Sequence, residues 1–258
     1  MRTTVTAMSA RFTRPKRLAR IAMSSWSAET KRALADAERR AGIDVGVPIG
    51  DGTAWISGAS DEVDYFTLYG AIIDGHFPAD VQGAAVLDIG AHKGYFALRS
   101  FAEGATRVDS YEPASQNLES LRRSAADNDR WNVHPVAVGA EAGTVELHLS
   151  PGSWGHSVHV PVGGESVGSE EVEMVSLSSA LTAIGSAGAP VVAKINVEGA
   201  AGSMILGTAV DDWAAVRLLW ADVESNDPVG LDEIKAHLAR CGLGHVETDG
   251  HRNRFVRR

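Results

Sequence analysis

The stretch Val86-Leu87-Asp88-Ile89-Gly90-Ala91-His92-Lys93-Gly94 sets a carboxylate and two glycines where an apolar strand pattern gives way to a helical one. Glycines at such a junction let the turn tighten and let the backbone approach a ligand closely. The spacing is not the Gly-x-Gly-x-x-Gly of NAD enzymes, because position 92 is His and the acid Asp88 precedes the first glycine. No Lys-Ser/Thr pair follows Gly94, so a loop that grips nucleoside triphosphates is absent as well. A carboxylate at Asp88 repels a pyrophosphate and attracts a charged amino group. Eighteen residues beyond Gly94 stands Glu112, in Tyr111-Glu112-Pro113. From the end of a second strand an acid can accept hydrogen bonds from both hydroxyls of a ribose.

A ligand that joins a ribose to a cationic amino-acid end is S-adenosylmethionine, and Asp88 and Glu112 together point to it as the cofactor. Further along, Lys194-Ile195-Asn196-Val197-Glu198 alternates polar and apolar residues. If the strand continues, Lys194, Asn196 and Glu198 share one face and form the acceptor side of a site. Asn196 can orient a hydroxyl, and a cationic Lys194 can orient Glu198 or a substrate group. His156, within Ser153-Trp154-Gly155-His156-Ser157-Val158-His159, is the candidate general base because imidazole titrates near neutrality. The histidines at 148, 156 and 159 lack helical metal-ligand spacing, so no metal is assigned. Positions 194, 196 and 198 supply one carboxylate, whereas a hard cation wants several oxygen ligands. A divalent metal is therefore not expected, although Asp222 and Glu224 could complete such a site with Asn196 if their strand lies next door.

These residues need a scaffold, and the periodicity supplies one. Apolar runs at 85–89, 191–195 and 216–222 read as buried strands, 107–111 reads as a further strand, and helical patterns cover 92–102, 114–128, 177–184, 201–210 and 230–241. Weaker strand signals lie at 132–138, 144–149, 172–175, 244–248 and 254–256, and a Gly/Ser/His segment occupies 150–169. Continuous apolar strands joined by helices require a mostly parallel sheet covered on both faces. Ligands of such sheets bind beyond the carboxyl ends of the strands. Ahead of the sheet, helices are expected from Ser27, a candidate N-cap, to about Gly42 and from 61 to 76, with loop or short strand between.

The runs around Asp88-Ile89-Gly90-Ala91-His92-Lys93-Gly94-Tyr95-Phe96, Tyr111-Glu112-Pro113, Val136-Ala137-Val138 and Lys194-Ile195-Asn196-Val197-Glu198-Gly199 resemble the successive motifs of FkbM-type methyltransferases. The resemblance covers roughly residues 60–225. It implies an α/β fold, the Rossmann-like class I methyltransferase with a mostly parallel seven-stranded sheet, helices on both faces and here an N-terminal helical extension. It further implies S-adenosylmethionine as methyl donor and O-methylation of small molecules, often sugars, nucleosides or polyketides in antibiotic pathways. The family pattern puts Asp88, Gly90, Gly94, Glu112 and Ala137 in the cofactor site. Two positions depart from it. The family usually reads Lys-Ile-Asp-Val-Glu-Gly-Ala-Glu, and this chain carries Asn196 for the Asp and Ala201 for the last Glu. An amide takes no proton at neutral pH, so a carboxylate base or metal ligand at 196 is in question.

With 258 residues, 44% hydrophobic and 22% charged, the composition excludes wholesale disorder and fibrous repeats. Domain boundaries are expected at a basic, flexible tail over 1–25, a helical cap over 26–80 and the methyltransferase domain over 81–258. Residues 1–25 hold six basic residues and no acid, and residues 252–258 hold four more, so the net charge of −9 less these ten leaves 26–251 at −19. So acidic a body repels phosphate backbones and makes nucleic acid an unfavourable partner. It favours a neutral or cationic small-molecule hydroxyl acceptor. No apolar run reaches membrane-spanning length and no secretory signal opens the chain, which points to the cytoplasm; the Arg-rich start could alternatively be a transit peptide. Cys241, the single cysteine, excludes an intramolecular disulfide. Homo-oligomerisation stays open. Two other functions fit the same fold: a non-catalytic binder of the cofactor, for which Asn196 argues, and an RNA or protein methyltransferase docking through the basic tail.

Overall fold

The computed structural model describes residues 14–38, 44–57, 63–159, 166–186 and 188–258. Ahead of the main sheet come α1 (Arg14–Met23), α2 (Ala28–Ala37), the hairpin β1 (Val45–Ile49) and β2 (Gly52–Ile56), and α3 (Val63–Ile72). Ser27 caps α2 as expected, its hydroxyl accepting from Thr30 N. There follow β3 (Ala85–Ile89), α4 (Tyr95–Ala102), β4 (Arg107–Tyr111), α5 (Ser115–Ala125), β5 (Trp131–His134), β6 (Ala137–Gly139), β7 (Gly143–Leu149) and β8 (Gly168–Ser176). The chain continues through α6 (Leu177–Gly185), β9 (Val191–Ile195), α7 (Ala201–Leu206), β10 (Val216–Asp222), α8 (Leu231–Arg240), β11 (Leu243–Asp249) and β12 (Arg252–Arg257).

Seven strands form one sheet in the order β11-β12-β10-β9-β3-β4-β5. All neighbours from β10 to β5 are parallel, and β12 runs antiparallel to both β10 and β11. Strand order reverses between β3 and β9, and a crevice for ligands opens at such a switch point. Alternate residues divide the core in two. Val86, Val108, Val192 and Trp220 face α4, α5 and the N-terminal segment, whereas Leu87, Ile89, Ala193 and Leu219 face α6, α7 and α8. Residues 26–80 share the first of these cores with the sheet, through Leu34, Ile49, Leu68 and Phe77.

The basic tail is not loose where it is described. Residues 14–23 form α1, which buries Ile21 to 2% exposure and pairs Arg17 with Glu38 and Arg20 with Asp74. Repulsion among its basic residues is relieved by acids of the following segment, which a reading of the tail alone could not weigh. Residues 1–13 and 39–43 lie outside the described residues, and with them the expected stop at Gly42. The single strand expected at 132–138 is two: Pro135, lacking an N–H, separates β5 from β6, and β6 joins a second sheet of order β6-β8-β7. The helix expected from 92 begins at Tyr95, because Gly90, His92 and Gly94 all have positive φ. Helix α7 stops at Leu206 rather than 210, ahead of Gly207.

Candidate active site

A cavity of about 240 Å³ opens at the carboxyl ends of β3, β4 and β9. Its walls include Gly90, Ala91 and His92 of the turn after β3, Glu112 and Pro113 after β4, Ala137 of β6, Asn196 and Glu198 after β9, and Ser153 and His156 of the segment following β7. Residues Val63, Phe66 and Thr67 of α3 close it from the N-terminal side.

Gly90 sits at φ +71, and a Cβ there would lie 1.9 Å from the carbonyl oxygen of Asn196. The tip of β9 thus packs on the turn so closely that only glycine fits. Gly94, at φ +82, is constrained differently: its Cβ would collide with Leu121 and Trp131. It is not among the residues lining the cavity, so its role is to let α5 and β5 press on the turn. Between them His92 holds φ +54, a conformation that costs energy for a residue with a Cβ.

Asp88 and Lys194 are register partners on β3 and β9. Lys194 Nζ donates to Asp88 Oδ1 and to the carbonyl oxygen of Gly90, each at 2.8 Å, with the two side chains 5% and 0% exposed. Asp88 does not line the cavity; Lys194 engages its Oδ1, while its Oδ2 is buried without a hydrogen-bond partner among the described residues. Through Lys194 the ion pair also anchors the Gly90 carbonyl of the turn that lines the cavity. Lys194 is committed to Asp88 rather than to Glu198. Strand β9 ends at Ile195, so Asn196 and Glu198 leave the sheet and the shared face of 194, 196 and 198 is not formed.

Glu112 is 6% exposed. Its Oε2 accepts from His92 N at 2.8 Å, and its Oε1 from Ala114 N at 3.0 Å and Asn117 Nδ2 at 3.2 Å. A carboxylate offers about four lone-pair sites, so three internal donors leave room for one ribose hydroxyl rather than the two expected. Burial outweighs these hydrogen bonds and pushes the carboxyl up to about 7.

His156 Nδ1 accepts from Ser150 N at 3.0 Å, which places the proton of the neutral ring on Nε2, where the contacting Gln116 side-chain amide must turn its oxygen to the ring to accept it. Both ring nitrogens are occupied. As seated, His156 has no lone pair with which to act as a base. Glu198, in contrast, stands beside Glu224 and Asp222; burial and these neighbouring carboxyls push it up to about 9, and among the described residues Glu198 Oε2 and Glu224 Oε2 have no hydrogen-bond partner. Among the described residues no group of three or more His, Cys, Asp or Glu is arranged to hold a metal ion.

The sequence reading passed over Asp64, which is fully buried on α3. Its Oδ2 accepts from Ser57 N at 3.0 Å and from Lys93 Nζ, and its Oδ1 from Ser153 Oγ at 3.2 Å. His92, also passed over, places Nε2 2.9 Å from Ser153 Oγ, and burial pushes its imidazole down to about 3. Two signals were available: an acid inside the apolar run Val63-Asp64-Tyr65-Phe66, and a bulky residue between two glycines.

Among the described residues no helix is long and apolar enough to cross a membrane. No curated protein sequence matches the chain. Among solved structures it is similar to the FkbM methyltransferase of Methylobacillus flagellatus at 15% identity and TM-score 0.46, covering 97% of this chain and 60% of that one. It is similar to a putative RNA methyltransferase of Pyrococcus horikoshii at 11% identity and TM-score 0.39, covering 76% and 86%. Aeropyrum pernix fibrillarin, in complex with natively bound S-adenosyl-L-methionine, aligns at 12% identity and TM-score 0.39 over 73% of each chain. The chain thus spans 60% of the length of the Methylobacillus protein. The sequence profile of the methyltransferase FkbM domain matches residues 88–242, from Asp88 of β3 to the residue before β11, and the chain belongs to that family.

Proposed function

We propose that the protein is an S-adenosylmethionine-dependent O-methyltransferase acting on a hydroxyl of a small molecule, of sugar, nucleoside or polyketide type. The observation that carries this reading is one cavity lined by the tight Gly90 turn and Glu112 on one side and by Asn196 and Glu198 on the other. The residues fit the cofactor. Glu112 retains one free acceptor position for a ribose hydroxyl, and Pro113, Val136, Ala137 and Val138 offer an apolar wall for a flat base. When bound, S-adenosylmethionine supplies a methyl group on a sulfonium, which an oxygen displaces in line.

The chain's own residues then have two tasks, alignment and proton removal. The amide of Asn196 orients the acceptor hydroxyl. The hydroxyl proton passes to the Glu198 carboxylate, which burial and the neighbouring Glu224 and Asp222 carboxyls make a stronger base than an ordinary carboxylate. Three measurements test the reading: S-adenosylhomocysteine binding by calorimetry, transfer of labelled methyl to a panel of hydroxylated acceptors, and mass spectrometry with NMR to locate the methyl. Binding with transfer to oxygen supports it. A methyl found on nitrogen or carbon, or no binding, overturns it.

A further inference from the structure

Asp64 lies upstream of residues 88–242, the span of the family profile, yet it joins segments that build the cavity. Its carboxylate is an acceptor only, so the Ser153 hydroxyl donates to Asp64 Oδ1 and must accept from His92 Nε2. His92 N in turn donates to Glu112 Oε2. Asn117 Nδ2 bridges Glu112 Oε1 and the Ser153 carbonyl at 3.2 and 2.9 Å. The bonds form a closed ring, His92 to Ser153 to Asn117 to Glu112 and back to His92. Asp64 is its anchor: Oδ1 holds Ser153, while Oδ2 holds Lys93, the residue after His92, and Ser57 N at the end of β2.

We propose that Asp64 is a positioning residue for cofactor binding, fixing the Gly90–Gly94 turn and the Ser153 segment relative to each other so that Glu112 presents its free acceptor position. This rests on the reading of the cavity as an S-adenosylmethionine site. Without Asp64 the Ser153 hydroxyl has no fixed direction, His92 loses the acceptor that sets its ring, and the turn bearing the Glu112 donor is released from α3. A merely structural Asp64 would contribute its buried ion pair with Lys93 and its bond from Ser57 N.

The two roles separate in the double variant Asp64→Leu with Lys93→Met. Replacing a buried ion pair by apolar residues of similar size is often neutral or stabilising, so thermal stability reports the structural role alone. Calorimetry with S-adenosylhomocysteine should show affinity at least 10-fold weaker than wild type. Steady-state assays should place the loss in KM for S-adenosylmethionine rather than in kcat. Ser153→Ala, which keeps the ion pair and cuts the link to His92, should weaken binding 3- to 10-fold without lowering Tm. Affinity within twofold of wild type in the folded double variant overturns the proposal; if the double variant does not fold, affinity within twofold in Ser153→Ala does so. Wild-type protein that fails to bind S-adenosylhomocysteine overturns instead the reading of the cavity.

Discussion

Gly90→Ala gives a perturbation whose size follows from the geometry of the turn. The new Cβ would stand 1.9 Å from the Asn196 carbonyl oxygen and 2.9 Å from its carbon, and contacts under 3.0 Å force a shift. The oxygen must therefore move at least 1.1 Å, the difference between 3.0 and 1.9 Å. It cannot do so by rotating freely, because Asn196 N donates to Ile89 O at 3.0 Å and Lys194 Nζ to Gly90 O at 2.8 Å. The left-handed backbone at φ +71 costs a further ~1–2 kcal/mol for a residue with a Cβ. Overpacking of a rigid core adds about 1–3 kcal/mol, so the total is roughly 2–5 kcal/mol. In a chain of this size that lowers Tm by roughly 5–20 °C. Gly143→Ala is the control: nothing lies within 4 Å of its Cβ and its φ is ordinary, so the change should stay within about 1 kcal/mol of wild type. Thermal denaturation with and without S-adenosylhomocysteine reads both stability and site geometry. If Gly90→Ala melts within 2 °C of wild type and binds S-adenosylhomocysteine equally well, the contact between the turn and β9 does not have the rigidity argued here.

Three further expectations concern the same region and its support. Glu112 titrates at about 7 and accepts hydrogen bonds best when ionised, so S-adenosylhomocysteine affinity should fall as pH drops below 7, and Glu112→Ala should cost about 1–3 kcal/mol at pH 8 by calorimetry. Glu198, held up to about 9 in part by the Glu224 charge, is deprotonated only as pH rises, so kcat/KM should climb toward pH 9; Glu224→Gln should move that limb to lower pH, and an unchanged profile would remove the pair from the proton transfer. Deleting residues 1–20 removes the Arg17–Glu38 and Arg20–Asp74 pairs, and should lower Tm by roughly 2–8 °C for ~1–2 kcal/mol while the truncated protein still binds S-adenosylhomocysteine.

The parts of the fold legible in the sequence are those whose signal is local. Strands β3, β4, β9 and β10 have the expected limits, and the mostly apolar runs at 85–89, 191–195 and 216–222 are the kind that burial on both faces demands. Residues that answer to distant partners were not legible in the same way. Glu112 was found by its place after β4, but its remaining capacity depends on His92 N and Asn117, which spacing does not reveal. His156 looks like a base in sequence and is disqualified by one hydrogen bond from Ser150 N. Asp88 and Lys194 were each singled out, yet their pairing follows from a strand register that no motif encodes. Asp64 carries no motif of its own: it stands ahead of the first motif, and its partners Ser57, Lys93 and Ser153 are brought to it only by the fold.

The Asp88–Lys194 pair also bears on how the sheet assembles. The partners are 106 residues apart in sequence and meet between β3 and β9, where the two halves of the sheet join. A chain that had formed only β3, β4 and β5 would leave the Asp88 carboxylate on an edge strand without its cation, and burying it there unpaired would cost several kcal/mol. The other half would hold the Lys194 ammonium without its counter-charge, and its place beside the Phe77 and Phe96 rings forms only when the halves meet. Neither half-sheet is then a comfortable resting place. Partly assembled species are penalised against both the open chain and the finished structure, and the two halves are coupled into a single cooperative transition.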